Sequence, residues 1–203
     1  MFETPKGLPP IHDHDHAIHL ILGSVPPNIR PYRYPYAQKS EIERMVAEML
    51  ENGIIQPSQS SFSTPVVLVH NKDGSWVMFP NYRELNKLTI KDKFLIPIID
   101  KLLYEVPRSI YFTKSHLRSG YHQMRMKTKD IPKTTFRTHE GHYEFLVMPF
   151  GLTNAPSTFQ GLMNSILKPF HRKFVLVSFD DILIYNKTSK EHVQHVDRVL
   201  KLL

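Results

Sequence analysis

The run Phe174-Val175-Leu176-Val177-Ser178-Phe179-Asp180-Asp181-Ile182-Leu183-Ile184-Tyr185 sets two adjacent carboxylates between two short apolar stretches. Each stretch has the length and the Val, Ile, Leu and Tyr content of a buried strand. The segment therefore reads as a β-hairpin with Asp180 and Asp181 at or beside its turn. Tight hairpin turns ordinarily carry Asn-Gly or Asp-Gly, whose backbones accept positive φ. Two acids in that place point either to a hard-metal site or to a solvated turn, and the pair alone does not choose between them.

The surroundings of this hairpin supply more elements. Pro156 opens a stretch in which Phe159, Leu162, Met163, Ile166 and Leu167 share one helical face, and Lys190 to Leu203 is also helical in pattern. Upstream, Thr64 to Val69 and Ser75 to Phe79 flank Asn71-Lys72-Asp73-Gly74, which predicts a second hairpin. Ser109 to Phe112 and Tyr143 to Met148 read as short strands. Ile42, Met45, Val46, Met49 and Leu50 predict a helix from near Ser40, with Ser40 and Glu43 as a capping box and Gly53 as its stop. Residues 1 to 38 carry Pro9, Pro10, Pro26, Pro27, Pro31 and Pro35, a spacing that excludes long helices and predicts an extended arm. Interleaved strands and helices without an internal repeat indicate an α+β fold.

With 41% apolar residues, the 203-residue chain has enough to build a core, so disorder is excluded. Lys and Arg outnumber Asp and Glu by 26 to 19, and the net charge of +7 favours a polyanionic partner. The absence of Cys removes disulfides and thiolate zinc sites and suggests an intracellular setting. No apolar run approaches the roughly 18 residues of a membrane span, so no membrane partner is expected. His12, His14 and His16 would share one face of an extended strand near His19, as zinc ligands or simply as exposed side chains.

Four stretches, the last of them from the hairpin itself, narrow the function. They are Leu117-Arg118-Ser119-Gly120-Tyr121-His122-Gln123, Lys133-Thr134-Thr135-Phe136-Arg137-Thr138, Gly141 through Val147-Met148-Pro149-Phe150-Gly151-Leu152-Thr153-Asn154-Ala155-Pro156, and Phe179-Asp180-Asp181-Ile182-Leu183-Ile184-Tyr185. In this order, from about Gly7 to the C-terminus, the chain closely resembles the reverse transcriptase of gypsy-type long-terminal-repeat retrotransposons. The resemblance implies right-hand polymerase fingers and palm, the palm being an antiparallel sheet with helices on one face. On that basis residues 1–38 are an N-terminal arm, 39–91 and 124–154 fingers, and 92–123 and 155–203 palm. The thumb and RNase H regions are expected to be missing, as in a truncated copy.

It also implies an RNA template, a DNA primer and deoxynucleoside triphosphates as partners, and two Mg²⁺ ions at the palm. Asp180 and Asp181 match two of three family carboxylates, and the backbone carbonyl of Leu117 matches a further metal ligand. The third carboxylate falls where the family reads Phe-Ser-Lys-Leu-Asp-Leu and this chain reads Phe112-Thr113-Lys114-Ser115-His116-Leu117. Imidazole is an uncharged single-nitrogen donor and cannot bridge two hard cations as carboxylate does. Weakened Mg²⁺ binding and a barrier higher by at least roughly 3 kcal/mol, a hundredfold in rate, are expected.

For the incoming nucleotide, the resemblance assigns Lys72, Arg83, Tyr121, Phe150 and Gly151. Asn71 and Val77 stand where family members carry cations, and Pro80 removes a strand donor. Lys127, Lys129, Lys133, Arg137, Lys168, Arg172 and Lys173 offer cationic surface for a template backbone. The chain thus reads as an impaired polymerase module. A non-catalytic nucleic-acid-binding remnant and a functionless fragment of a decayed element are the alternatives.

Overall fold

The computed structural model describes residues 7–11, 13–71, 74–93, 106, 109–117, 120–178 and 181–203. His12, Lys72, Phe179 and Asp180, all named above, lie outside the described residues. In chain order the elements are α1 (Tyr36–Glu51), β1 (Ile55–Pro57), β2 (Thr64–His70), β3 (Trp76–Pro80), α2 (Arg83–Leu88), β4 (Tyr111–His116), β5 (Phe136–Arg137), β6 (His142–Phe145), α3 (Ala155–Ile166), β7 (Val175–Ser178), β8 (Asp181–Asn186) and α4 (Ser189–Leu202). Two 3₁₀ segments, Gly120–Gln123 and Thr128–Thr134, join them. The chain divides into two compact units, Met1–Lys91 with Tyr121–Ala155, and Asp92–Gly120 with Pro156–Leu203.

The first unit holds a sheet in the order β1-β6-β5-β2-β3, antiparallel except for the parallel pair β2–β5. Its core forms because Ile42 and Val46, one turn apart on α1, meet Ile55, Val66, Phe136, Phe145 and Val147. Burying each such side chain contributes about 1.5–3 kcal/mol. The helix begins four residues ahead of the predicted start. Pro35 caps it at φ −56°, its carbonyl accepts from the Gln38 and Lys39 N–H groups, and no side chain caps it. Ser40 therefore lies inside α1, and the predicted capping box does not form. Gly53 does end the helix. At φ +67° it donates to Leu50 O while Ile54 donates to Met49 O, the paired bonds of a Schellman end.

Pro80 leaves the predicted hairpin intact, because β3 is an edge strand and the register from Val66↔Pro80 to His70↔Trp76 is unbroken.

The arm is clamped rather than loose. His16 bridges to Met126, Leu20 to Thr89 and Asn28 to Ser63. Beneath it Asp130, 1% exposed, accepts from the Ile18 N–H at 3.2 Å and from Lys133 Nζ at 2.6 Å. Lys133 also donates to Ile18 O at 2.6 Å. Lys133 thus serves as the counter-charge of a buried acid, which corrects its placement among template-facing cations. His16 is buried as well, so it is neither a simply exposed side chain nor a ligand on an open face. Among the described residues the group of three donors close enough to share an ion is Glu43, His139 and Glu140, away from the arm.

In the second unit the sheet order is β4-β8-β7, all antiparallel, and β7 is buried throughout. Phe159, Leu162, Met163 and Leu167, predicted to share a face, are all buried. Gly120 is required by the Phe159 ring, since a Cβ there would lie 2.8 Å from its Cζ. Gln160 is buried and donates to Val177 O at 3.2 Å, tying α3 to β7. A polar chain fixes α4 to the sheet, running from Thr113 Oγ1 to His192 Nε2 (2.8 Å), His192 Nδ1 to Asn186 Oδ1 (2.9 Å) and Asn186 Nδ2 to His195 Nδ1 (2.6 Å). The ring of His195 stacks on Phe174 with centroids 3.6 Å apart.

These contacts give three expectations. Asp130→Asn strands the Lys133 charge, and urea unfolding is expected to show a loss of about 3 kcal/mol. Burial lowers the His16 pKa from 6.5 to about 4, against the raising effect of Asp130 and with a small lowering by His19. Its unfolded form takes up a proton first, so stability is complete above pH 6.5 and falls as pH drops towards 4, by about 1.4 kcal/mol per unit across that window. Thermal melts against pH should show this slope, and His16→Leu should flatten it. Gly120→Ala overpacks against Phe159 and is expected to lower stability by about 1–3 kcal/mol in the same melts.

Candidate nucleic-acid and metal site

In the second unit the candidate residues are placed by strand register. In the β4–β8 pair His116 lies directly opposite Asp181, and in the β7–β8 pair Ser178 lies opposite the same residue. Asp181 therefore opens the central strand of its sheet with position 116 beside it, as a shared two-strand site requires. Side chains two apart on a strand point to one face, so Lys114 joins His116 there. Lys114 Nζ lies 2.8 Å from Asp181 Oδ2, and His116 Nδ1 lies 3.2 Å from Asp181 Oδ1. The Lys114 ammonium, and after it the His116 imidazole, hold the Asp181 carboxyl below the usual carboxylate range, against a raising effect of burial. Leu117 follows directly at the end of β4.

These donors do not fit a pair of Mg²⁺ ions. Mg²⁺ is held by oxygen ligands in near-octahedral geometry. Here one described carboxylate has a donor on each oxygen, and its cross-strand neighbour is a nitrogen ligand.

In the first unit the structure brings together several residues assigned to the nucleotide. The Tyr121 and Phe150 rings pack at 4.9 Å, and Phe150 meets Phe79 edge-on at 6.3 Å. Gly151 turns the chain at φ +93°, where a side chain would be strained. The turn is held by Asn86, whose Nδ2 donates to Gly151 O at 2.8 Å and whose Oδ1 accepts from the Thr153 N–H at 3.0 Å. Arg83 is exposed at the start of α2. Asn71 makes a local contact across its turn, from Nδ2 to Ser75 Oγ at 3.0 Å, and Val77 pairs with Val69 in an apolar cross-strand pair. The His70 and Trp76 rings lie beside them, tilted by 37° with centroids 3.4 Å apart.

Sequence reasoning missed two residues. Lys114 sits at strand spacing from His116, a signal that was available. Asn86 looks like an ordinary helical residue until the turn it clamps is seen. The cations Lys127, Lys129, Lys168, Arg172 and Lys173 are exposed and spread over both units. No helix among the described residues is long and apolar enough to cross a membrane.

Known proteins share this arrangement. Residues 69–203 match the family described as reverse transcriptase (RNA-dependent DNA polymerase). The chain is 43% identical over 178 residues to the retrovirus-related Pol polyprotein from transposon 297 of Drosophila melanogaster, covering 84% of this chain and 17% of that one. It is 37% identical over 175 residues to the transposon Tf2-3 polyprotein of Schizosaccharomyces pombe, covering 86% and 13%. It thus spans less than a fifth of the length of these curated relatives. The prototype foamy virus protease-reverse transcriptase superposes with a TM-score of 0.78 at 28% identity, over 92% of this chain and 25% of that one. The foamy viral protease-reverse transcriptase in complex with an RNA/DNA hybrid superposes at 0.81 and 24% identity over the same shares, a likeness of fold. The α+β architecture is that of reverse-transcriptase fingers and palm, and the chain belongs to the reverse transcriptase (RNA-dependent DNA polymerase) family as a domain of the kind found in retrotransposon polyproteins.

Proposed function

We propose that this chain is the fingers and palm of a gypsy-type retrotransposon reverse transcriptase that engages an RNA template and DNA primer but has lost efficient Mg²⁺-dependent nucleotidyl transfer. The first compact unit, with its arm, serves as fingers and the second as palm. Tyr121, Phe150, Gly151, Arg83 and Lys72 are the residues facing a deoxynucleoside triphosphate, and Asp180 and Asp181 are what remains of the catalytic acids. The lack of Cys suits an intracellular setting.

The observation that carries the loss of chemistry is the cross-strand pairing of His116 with Asp181. A nitrogen donor stands where the shared ion needs an anionic oxygen, which removes a bridging ligand rather than a peripheral one. Independent support comes from the fingers. Asn71 engages Ser75 and Val77 engages Val69, so neither supplies a charge-assisted phosphate contact. Support for nucleic-acid binding comes from the net charge of +7 and the exposed lysines.

Primer extension on an RNA template tests the proposal. The parent chain is expected to extend with Mg²⁺ at least about a hundredfold more slowly than His116→Asp combined with Asn71→Lys and Val77→Arg. It should nevertheless bind template–primer with an affinity that falls steeply with salt. Family-like Mg²⁺ extension by the parent overturns the loss of chemistry, and absence of binding at low salt overturns the partner.

A further inference from the structure

The poor fit of the palm donors to Mg²⁺ leaves Asp181 with two donors supplied by the chain itself. His116 lies directly opposite Asp181 and Lys114 diagonally from it, the two arrangements in which cross-strand side chains reach one another. Each takes a different carboxylate oxygen, Lys114 Nζ on Oδ2 at 2.8 Å and His116 Nδ1 on Oδ1 at 3.2 Å. Of the two, lysine is the compact ammonium, with three donors. Its side chain is 64% exposed, so donors beyond the one on Asp181 reach solvent. A nucleic-acid backbone approaching a carboxylate needs an intervening cation, and an ammonium shared between carboxylate and phosphate supplies one.

We propose that Lys114 is the resident cation of this palm, bridging Asp181 to a backbone phosphate so that template–primer is held without a divalent ion. This rests on the nucleic-acid partner proposed above and adds how the partner is held. It also separates two properties that a working two-metal palm couples, because here duplex binding and metal binding become competitors for the same carboxylate.

Two measurements on the whole chain test it. The first is Mn²⁺ uptake without nucleic acid, read from the electron paramagnetic resonance signal of free Mn²⁺. The parent and Lys114→Arg are expected to take up little, whereas Lys114→Met, its carboxylate relieved of the ammonium, takes up the ion. The second is anisotropy of a labelled RNA–DNA duplex at matched ionic strength, in chelator and in Mg²⁺. The parent affinity is expected to agree within about twofold between the two, and Lys114→Met to bind about tenfold more weakly in chelator and to regain affinity with Mn²⁺. Lys114→Arg should behave as the parent, and circular dichroism melts confirm that each variant is folded. Mn²⁺ uptake by the parent equal to that of Lys114→Met overturns the inference while leaving the partner untouched, as does parent duplex binding that needs Mg²⁺. A parent that takes up no Mn²⁺ and binds no duplex at low salt overturns the partner and the bridging role with it.

Discussion

Everything around Asp181 depends on the register of β4 against β8. Antiparallel pairing fixes position 116 opposite position 181, and no adjustment of side-chain rotamers can bring a different residue there. A site divided between two strands is therefore only as good as the residue the second strand delivers. This chain delivers His116 and, two residues earlier on the same face, Lys114. The outcome is an Asp181 carboxylate with an ammonium on one oxygen and an imidazole on the other.

In the first unit a turn is held by a side chain rather than by register. There the polar clamp is intact: Asn86 uses both ends of its amide to fix the turn around Gly151, and the Tyr121 ring rests on Phe150 nearby. Removing such an amide leaves a carbonyl and an N–H in need of partners, typically a loss of about 1–3 kcal/mol where they are buried. The turn around Gly151 is thus firmly held, while the β2–β3 hairpin carries Val77 and Asn71.

How much of this was legible in the sequence follows from the range of each interaction. Local signals read well. The turn residues Asn71 to Gly74 marked one hairpin, the apolar runs about Asp181 marked another, and Pro156 marked a helix whose buried face is Phe159, Leu162, Met163 and Leu167. Gly53 marked a helix end because a positive φ leaves few alternatives. Misses arose where a distant partner decided the matter. Ser40 looked like a cap until Pro35 started the helix earlier, and Lys133 looked like a surface cation until Asp130 was found buried beside it. The histidines of the arm read as exposed side chains or as zinc ligands on a free strand, but pairing of His16 with Met126 buries one of them. Nothing in the local spacing of these residues encodes the partner. The parallel pairing of β2 with β5, from Thr64 to Phe136, is out of reach for the same reason.

Fold and chemistry part company here because they draw on different residues. Stability resides in buried groups such as Ile42, Val66, Phe136, Phe159, Leu176 and the Asp130–Lys133 pair, where a single change typically costs several kcal/mol. The departures from the family pattern sit elsewhere: His116 and Asn71 are exposed and Val77 is only partly buried. Substitutions at such surface positions usually alter stability by about 0.5 kcal/mol or less. An aspartate facing Asp181 across 116↔181 would even place like charges side by side, a repulsion that metal binding must offset. A histidine at 116 avoids that repulsion, so the fold tolerates it readily whatever it does to the chemistry of the site.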